Sequence, residues 1–269
     1  MASTRALAHA PWSSSKIQTA LRCPREFHYR YVDRVPESDA SPEARIGKAV
    51  HGVLERALVG DSVDAAVAEG RRLMHNDAER RRYDALAAGV GAFIDRVAAF
   101  RRRHRVTRQF VEFTLAVRED LSLTQFHASD ALYRGIFDAG YLYDDGKLAV
   151  VDHKCGERRT SLAFSDQLEG YAVLAAAMFR NVRAYWLGVH WVAECQVDWS
   201  GPVTPQQVAD ELAPRMLANI EAAALAVDDG PRPAPSDWCL LCSYRSICPA
   251  AHDLLLEPVD DEPPPDWEL

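Results

Sequence analysis

No stretch of this 269-residue sequence approaches the ~20 consecutive apolar residues of a membrane-spanning helix, because charges interrupt every apolar run. The first residues, Met-Ala-Ser-Thr-Arg-Ala-Leu, lack the long apolar core of a secretory signal. No membrane association is expected, and the cytoplasm is the expected compartment. A glycine-rich phosphate loop of either standard kind is missing too, as is any internal repeat, which argues against the common nucleotide-binding folds and against a solenoid. The last thirteen residues, Glu257 to Leu269, contain six acids, three consecutive prolines and neither Lys nor Arg, so this tail reads as disordered.

What is present suits a folded core. The apolar fraction of 48% and the charged fraction of 26% are ordinary for a globular protein, and the length fits one large domain. The tail acids account for six of the eight net negative charges. Arginine is concentrated in two runs, Arg80 to Arg82 and Arg101 to Arg108. Such runs suit a groove for phosphates, and they equally suit a solvated helix face.

Ser13 to Ser15 open a helix carrying Ile17 and Leu21, and Ser41-Pro42 opens a second carrying Ile46, Val50, Leu54 and Leu58. Helices are also expected over about 62–75 and 79–104. The period then changes to alternation over 109–118, 132–143 and 147–153. A helix over 163–180, a strand over 183–193 and a helix over 204–226 follow. The order predicts an α/β domain with a mixed sheet flanked by helices. One domain is expected over 1–256, with an Arg-rich helical insert at about 62–107 beside the substrate path.

Asp152 and Lys154 lie two apart on a hydrophobic strand and therefore share a face, while His153 points the other way. Asp138 lies on the preceding strand. If the hairpin loop is the three residues Asp144, Asp145 and Gly146, residue 143 pairs with 147 and Asp138 falls opposite Asp152. Gly146 suits the left-handed end of such a loop, so this register is the expected one. Two carboxylates facing each other repel unless a cation intervenes, and oxygen ligands suit Mg²⁺ or Mn²⁺. A lysine beside them completes a set fit for metal-assisted phosphodiester hydrolysis. Taken alone, Asp-x-Lys reads first as a surface ion pair on an edge strand.

The surrounding elements narrow the choice. Gly47-Lys48-Ala49-Val50-His51, Gly135-Ile136-Phe137-Asp138, Val151-Asp152-His153-Lys154 and Gln167-Leu168-Glu169-Gly170-Tyr171 occur in the order found in the RecB-type branch of the PD-(D/E)XK nucleases, which the chain resembles. The resemblance implies a restriction-endonuclease-like core. It implies metal ligation by His51, Asp138, Asp152 and the carbonyl of His153, and catalysis by Lys154. Gln167 and Tyr171 would place the lysine and the DNA strand. Glu112 stands where relatives carry a further acid; it also reads as an exposed strand residue. The implied activity is DNA cleavage, with DNA ends or single strands as substrate and a helicase or other DNA-processing protein as partner. Repair, recombination, phage and CRISPR-related processing all fit. Tyr171 and Phe164 are candidates to stack bases. A non-catalytic subunit that binds DNA ends and keeps the fold is the alternative.

Cys239, Cys242 and Cys248 are spaced C-x2-C-x5-C, and a complete thiolate site needs a fourth ligand, for which Cys23 is the candidate. Iron–sulfur members of the same branch take one cysteine before the core and three after it. Cys23-Pro24 and Cys248-Pro249 match their contexts. The resemblance implies a 4Fe–4S cluster that clasps the two chain ends, with zinc as the competing occupant. Cys155 and Cys195 read as ordinary free thiols.

Overall fold

Short polar side chains start several of the helices. Ser13 caps α2 (Ser14–Arg22), which follows a short α1 (Thr4–Ala8), by accepting from the Lys16 amide. After α3 (Pro24–Phe27), Ser41 caps α4 (Pro42–Val59), Ser62 caps α5 (Val63–Arg72) and Asn76 caps α6 (Asp77–Ala87). The computed structural model describes residues 3–37, 41–158 and 165–251, so Phe164 and the acidic tail lie outside the described residues.

The single helix expected over 79–104 is two, α6 and α7 (Val90–Arg103). The break falls at Ala88-Gly89. Glycine is among the weakest helix formers, and the Gly89 carbonyl accepts from the Phe93 amide of α7 at 3.0 Å and also from the Cys195 thiol at 3.7 Å.

Six strands form one sheet in the order β2-β1-β3-β4-β5-β6. They are β1 (Val106–Val117), β2 (Leu123–Thr124), β3 (Tyr133–Tyr143), β4 (Lys147–Lys154), β5 (Ala184–Trp191) and β6 (Gln196–Val203). Among these six strands only β4 and β5 pair in parallel, and α8 (Ser165–Met178) supplies the crossover that a parallel pair needs. The expected mixed sheet is therefore present. The alternation did not predict β6, whose sequence includes Asp198, Ser200, Gly201 and Pro202. It lies at the sheet edge, where proline and polar residues are tolerated.

Each face of the sheet buries its own cluster. One joins Trp12 and Phe27 of the N-terminal segment to Leu174 of α8 and Ile220 of α9 (Ala213–Asp228). The other joins Val50 and Leu54 of α4 to Tyr83 and Phe93 of the helical insert. Full burial of one such side chain is worth about 1.5–3 kcal/mol, so both layers are firmly fixed to the sheet.

The β3–β4 hairpin has the expected three-residue loop. Leu142 pairs with Leu148 and Ala139 with Val151, and Gly146 takes φ +78°. That register sets Asp138 across from Asp152.

Beyond Ala139–Val151, the last β3–β4 pair, the sheet forks. The start of β3 stays with β1 through Phe137–Phe113 and onward to Tyr133–Val117, while the end of β4 stays with β5 through Lys154–Trp191. Strict alternation also fails at the fork. Ala139 and Tyr141 pack in the α4 layer, yet Phe137 packs in the α8 layer; on β1, Val111 faces α4 and Phe113 faces α8. The register is unchanged on either side of this reversal, which is centred on Glu112 and Asp138, and Glu112 has φ +46°. A glutamate in the left-handed region is a strained residue held by its surroundings.

Candidate active site

Into this fork opens a cleft of about 1030 Å³ lined by His51, Glu112, Asp138, Asp152, Lys154, Gln167 and Tyr171, among others. Five elements supply these side chains. His51 comes from α4, where the Ser41 cap and the apolar face of Val50 and Leu54 set its direction. Glu112 and Asp138 come from the strained crossing of β1 and β3, Asp152 and Lys154 from the end of β4, and Gln167 and Tyr171 from one face of α8.

His51, Glu112 and Asp138 converge, with ligand atoms within 4.8 Å of one another. His51 Nδ1 lies 3.6 Å from Asp138 Oδ2, and that same oxygen accepts from the His153 amide at 2.6 Å. Asp152 faces the other half of the cleft. Its Oδ2 lies 2.7 Å from Lys154 Nζ, and its Oδ1 accepts from Gln167 Nε2 at 2.8 Å and from the Tyr171 hydroxyl at 3.3 Å. Lys154 Nζ donates to Gln167 Oε1 at 3.1 Å. The amide of Gln167 thus bridges the lysine and the carboxylate, and both hold the amine in place.

Burial, and then the charge of Asp152, push the Asp138 carboxyl up to about 7, against the pull of the His153 amide. Burial and the Asp138 charge also raise Glu112. Burial lowers the pKa of His51 and so favours the neutral imidazole, the form that binds metals. This half of the cleft is therefore short of positive charge. Carboxylate oxygens and a neutral imidazole suit Mg²⁺ or Mn²⁺, so the residues present fit a divalent cation.

The His153 side chain takes the direction expected of it, whereas the role expected of Tyr171 is altered by the geometry. The His153 side chain points away from the cleft. It is buried, with Nδ1 2.9 Å from His190 Nδ1, and Phe93 of α7 stacks on His190 at 3.8 Å, so only the backbone of His153 faces Asp138. Tyr171 is only 6% exposed and packs on Phe137 at 5.0 Å. It serves Asp152 and is not accessible for stacking a base. Neither arginine run lines the cleft; Arg80 and Arg82 instead pair with Asp77 and Glu43.

The N-terminal wall of the cleft was not foreseen. Trp12 bridges to Tyr133, its amide donating to the Leu132 carbonyl at 2.7 Å and its carbonyl accepting from Arg134 at 2.9 Å. That bridge sets Ser13 to Ser15 at the rim. A single bridge leaves no alternating pattern to read, and the buried Trp12 is the one trace in the sequence.

Cys23, Cys239, Cys242 and Cys248 line one small pocket on another part of the molecule. Residues 22–29 and 238–244 meet there through other side chains. Trp238 Nε1 donates to the buried Glu26 at 3.2 Å, Arg22 stacks on Trp238 at 3.9 Å, and Tyr29 packs against Tyr244 at 5.4 Å. Burial raises the Cys242 thiol. Cys155 and Cys195 lie apart from this pocket, each directed at a backbone carbonyl.

None of the curated proteins matches the chain. Among solved structures, the protein SSO0001 is 14% identical with a TM-score of 0.41, covering 91% of this chain and 90% of that one. A provisionally named exonuclease from Eubacterium rectale is 12% identical with a TM-score of 0.49, covering 93% and 90%. Neither likeness is close enough to bear on function. Residues 11–249 match the family model of the PD-(D/E)XK nuclease superfamily. That match spans most of the chain and every element of the fork, and the chain belongs to the PD-(D/E)XK nuclease superfamily.

Proposed function

We propose that this protein is a Mg²⁺- or Mn²⁺-dependent deoxyribonuclease that hydrolyses phosphodiester bonds at DNA ends or in single strands. The observation that carries the reading is the fork: it opens one cleft onto Asp138, Asp152, Lys154 and His51. His51 and Asp138, with Asp152 or Glu112 across the cleft, would hold the cation. Bound there, a divalent ion would polarise the scissile phosphate and acidify an attacking water. Lys154, held by Asp152 and Gln167, would donate to a phosphate oxygen and steer the water's proton. Tyr171 fixes the Asp152 carboxylate by donating to it, a role for which burial, keeping the hydroxyl protonated, suits it.

The order of the four sequence elements supports membership of the RecB-type branch, and with it a place in DNA repair, recombination, phage or CRISPR-related processing beside a helicase or similar protein. A 4Fe–4S cluster on Cys23, Cys239, Cys242 and Cys248 is the cofactor this reading adds. The donor set fits, since all four thiols line one pocket. Anaerobically purified protein should be brown with broad visible absorption; colourless protein with one zinc per chain would overturn the assignment.

The nuclease reading is tested by degradation of labelled DNA with Mg²⁺ or Mn²⁺. Lys154→Ala should lose about 100-fold or more in rate. Equal activity in the two proteins would remove the catalytic assignment and leave a DNA-end-binding module.

A further inference from the structure

The proposed chemistry leaves two walls of the cleft without a task. One is helical. Gly47 and Gly52 of α4 line the cleft, and a Cβ placed on either would meet no atom within 4 Å. Glycine inside a helix lowers stability, and the protein's own packing gives no reason for it at these positions. The other wall is a lip formed by the β2–β3 connection and the start of β3. Phe126, His127 and Arg134 line the cleft there. The Arg134 guanidinium lies 5.1 Å from the Phe126 ring centroid, and the Phe126 and His127 rings meet edge to face at 5.0 Å. Phe126 is half-buried and His127 exposed, so the lip is anchored yet open. Ile136, 38% exposed, continues the apolar edge toward Asp138.

An unpaired nucleotide has a flat π face and a narrow anionic backbone. A phenyl ring backed by a guanidinium stacks the first, and a bare helix face admits the second. A base inside a duplex hides both its faces in the stack. We infer that Phe126, with Arg134 packed against it, stacks an unpaired base of the substrate strand while the strand's backbone crosses the open face of α4 at Gly52. These are positioning residues for the same site. The inference rests on reading the cleft as a nucleic-acid site, and it makes the lip the element that prefers single strands over duplex.

The test is equilibrium binding of a fluorescent single-stranded oligonucleotide to the full chain in a chelator, where no cleavage occurs. Phe126→Ala should bind about tenfold more weakly, and Phe126→Trp should restore the affinity. An abasic strand of equal length should bind the wild type and Phe126→Ala alike. Gly52→Leu should melt no lower than the wild type and yet bind the strand about tenfold more weakly. Unchanged affinity in Phe126→Ala, an equal loss with the abasic strand, or a wild type that prefers duplex would each overturn the stacking lip. Unchanged affinity in Gly52→Leu would overturn the path across α4. Because binding is read without cleavage, a chain that stacks the strand but never cuts it would remove the nuclease reading and leave this inference standing.

Discussion

A carboxyl with a pKa near 7 binds a cation in competition with a proton. Asp138 is such a group, raised to about 7 by burial and by Asp152. Its proton is held below that value and lost above it, so Mn²⁺ affinity should climb with pH and level off above about 7. Titration calorimetry should find binding about tenfold weaker at pH 6 than at pH 8, since one pKa unit is about 1.4 kcal/mol. Flat affinity across that range would mean that Asp138 is not a ligand. Glu112 makes a second case. Its φ of +46° and its raised pKa both cost stability in the absence of a cation. Glu112→Gly should therefore stabilise the metal-free protein by up to about 1 kcal/mol in denaturant unfolding while weakening Mn²⁺ binding. Asp138, Asp152, Lys154 and Gln167 were legible in the sequence because two-residue strand spacing and four-residue helix spacing fix shared faces. The convergence of Glu112 on Asp138 was carried only as an option, because a glutamate at positive φ is imposed by the fork and has no local signal. His190 and Phe93, which turn the His153 side chain away from the cleft, gave no signal either, being distant in sequence from the residue they hold.

At the scale of elements, the hairpin decides whether the two acids meet. A loop one residue shorter would have set Asp138 against His153 and turned it from Asp152. Gly146 at φ +78° makes the three-residue loop possible. Gly146→Ala should cost about 1 kcal/mol in thermal or denaturant unfolding, and Gly146→Asn less, because asparagine tolerates the left-handed region. An unaffected Gly146→Ala protein would mean that the loop is not held in this conformation. The turn and the capped helices could be read in advance because their causes are local. The break between α6 and α7 was missed because a single glycine in an otherwise helical run is commonly tolerated. β6 was missed because an edge strand with one solvated side needs neither alternation nor apolar residues. The fork itself has no sequence signature. It arises where β3 stays with β1 while β4 stays with β5.

For the whole molecule, residues 22–29 and 238–244 pack together at the cysteine pocket, and α2 leads directly from there to the cleft. Ser14, Ser15 and Gln18 line the cleft, and Cys23 follows the end of the same helix. On the proposed reading, losing a cluster held in the pocket should therefore loosen both ends and one wall of the cleft. Cys23→Ser should lower the melting temperature by at least about 5 °C and expose both termini to limited proteolysis, in line with a loss of roughly 2 kcal/mol in a chain of this size. Unchanged melting and cleavage would show that Glu26, Arg22 and Trp238 alone hold the ends. The arginine runs were placed beside the substrate path on charge alone, and part of that charge is spent on ion pairs such as Arg82–Glu43. Charge patterning reported a solvated helical face, and the cleft takes its lining from other elements.

The central claim is that a divalent cation sits in the fork of the sheet. The most direct measurement is the anomalous scattering of manganese in crystals grown or soaked with Mn²⁺. The account predicts a peak in the cleft, within about 2.0–2.2 Å of His51 and Asp138 and of at least one oxygen from Asp152 or Glu112. A peak elsewhere, or a fork that stays empty at millimolar Mn²⁺ and pH 8, would contradict it.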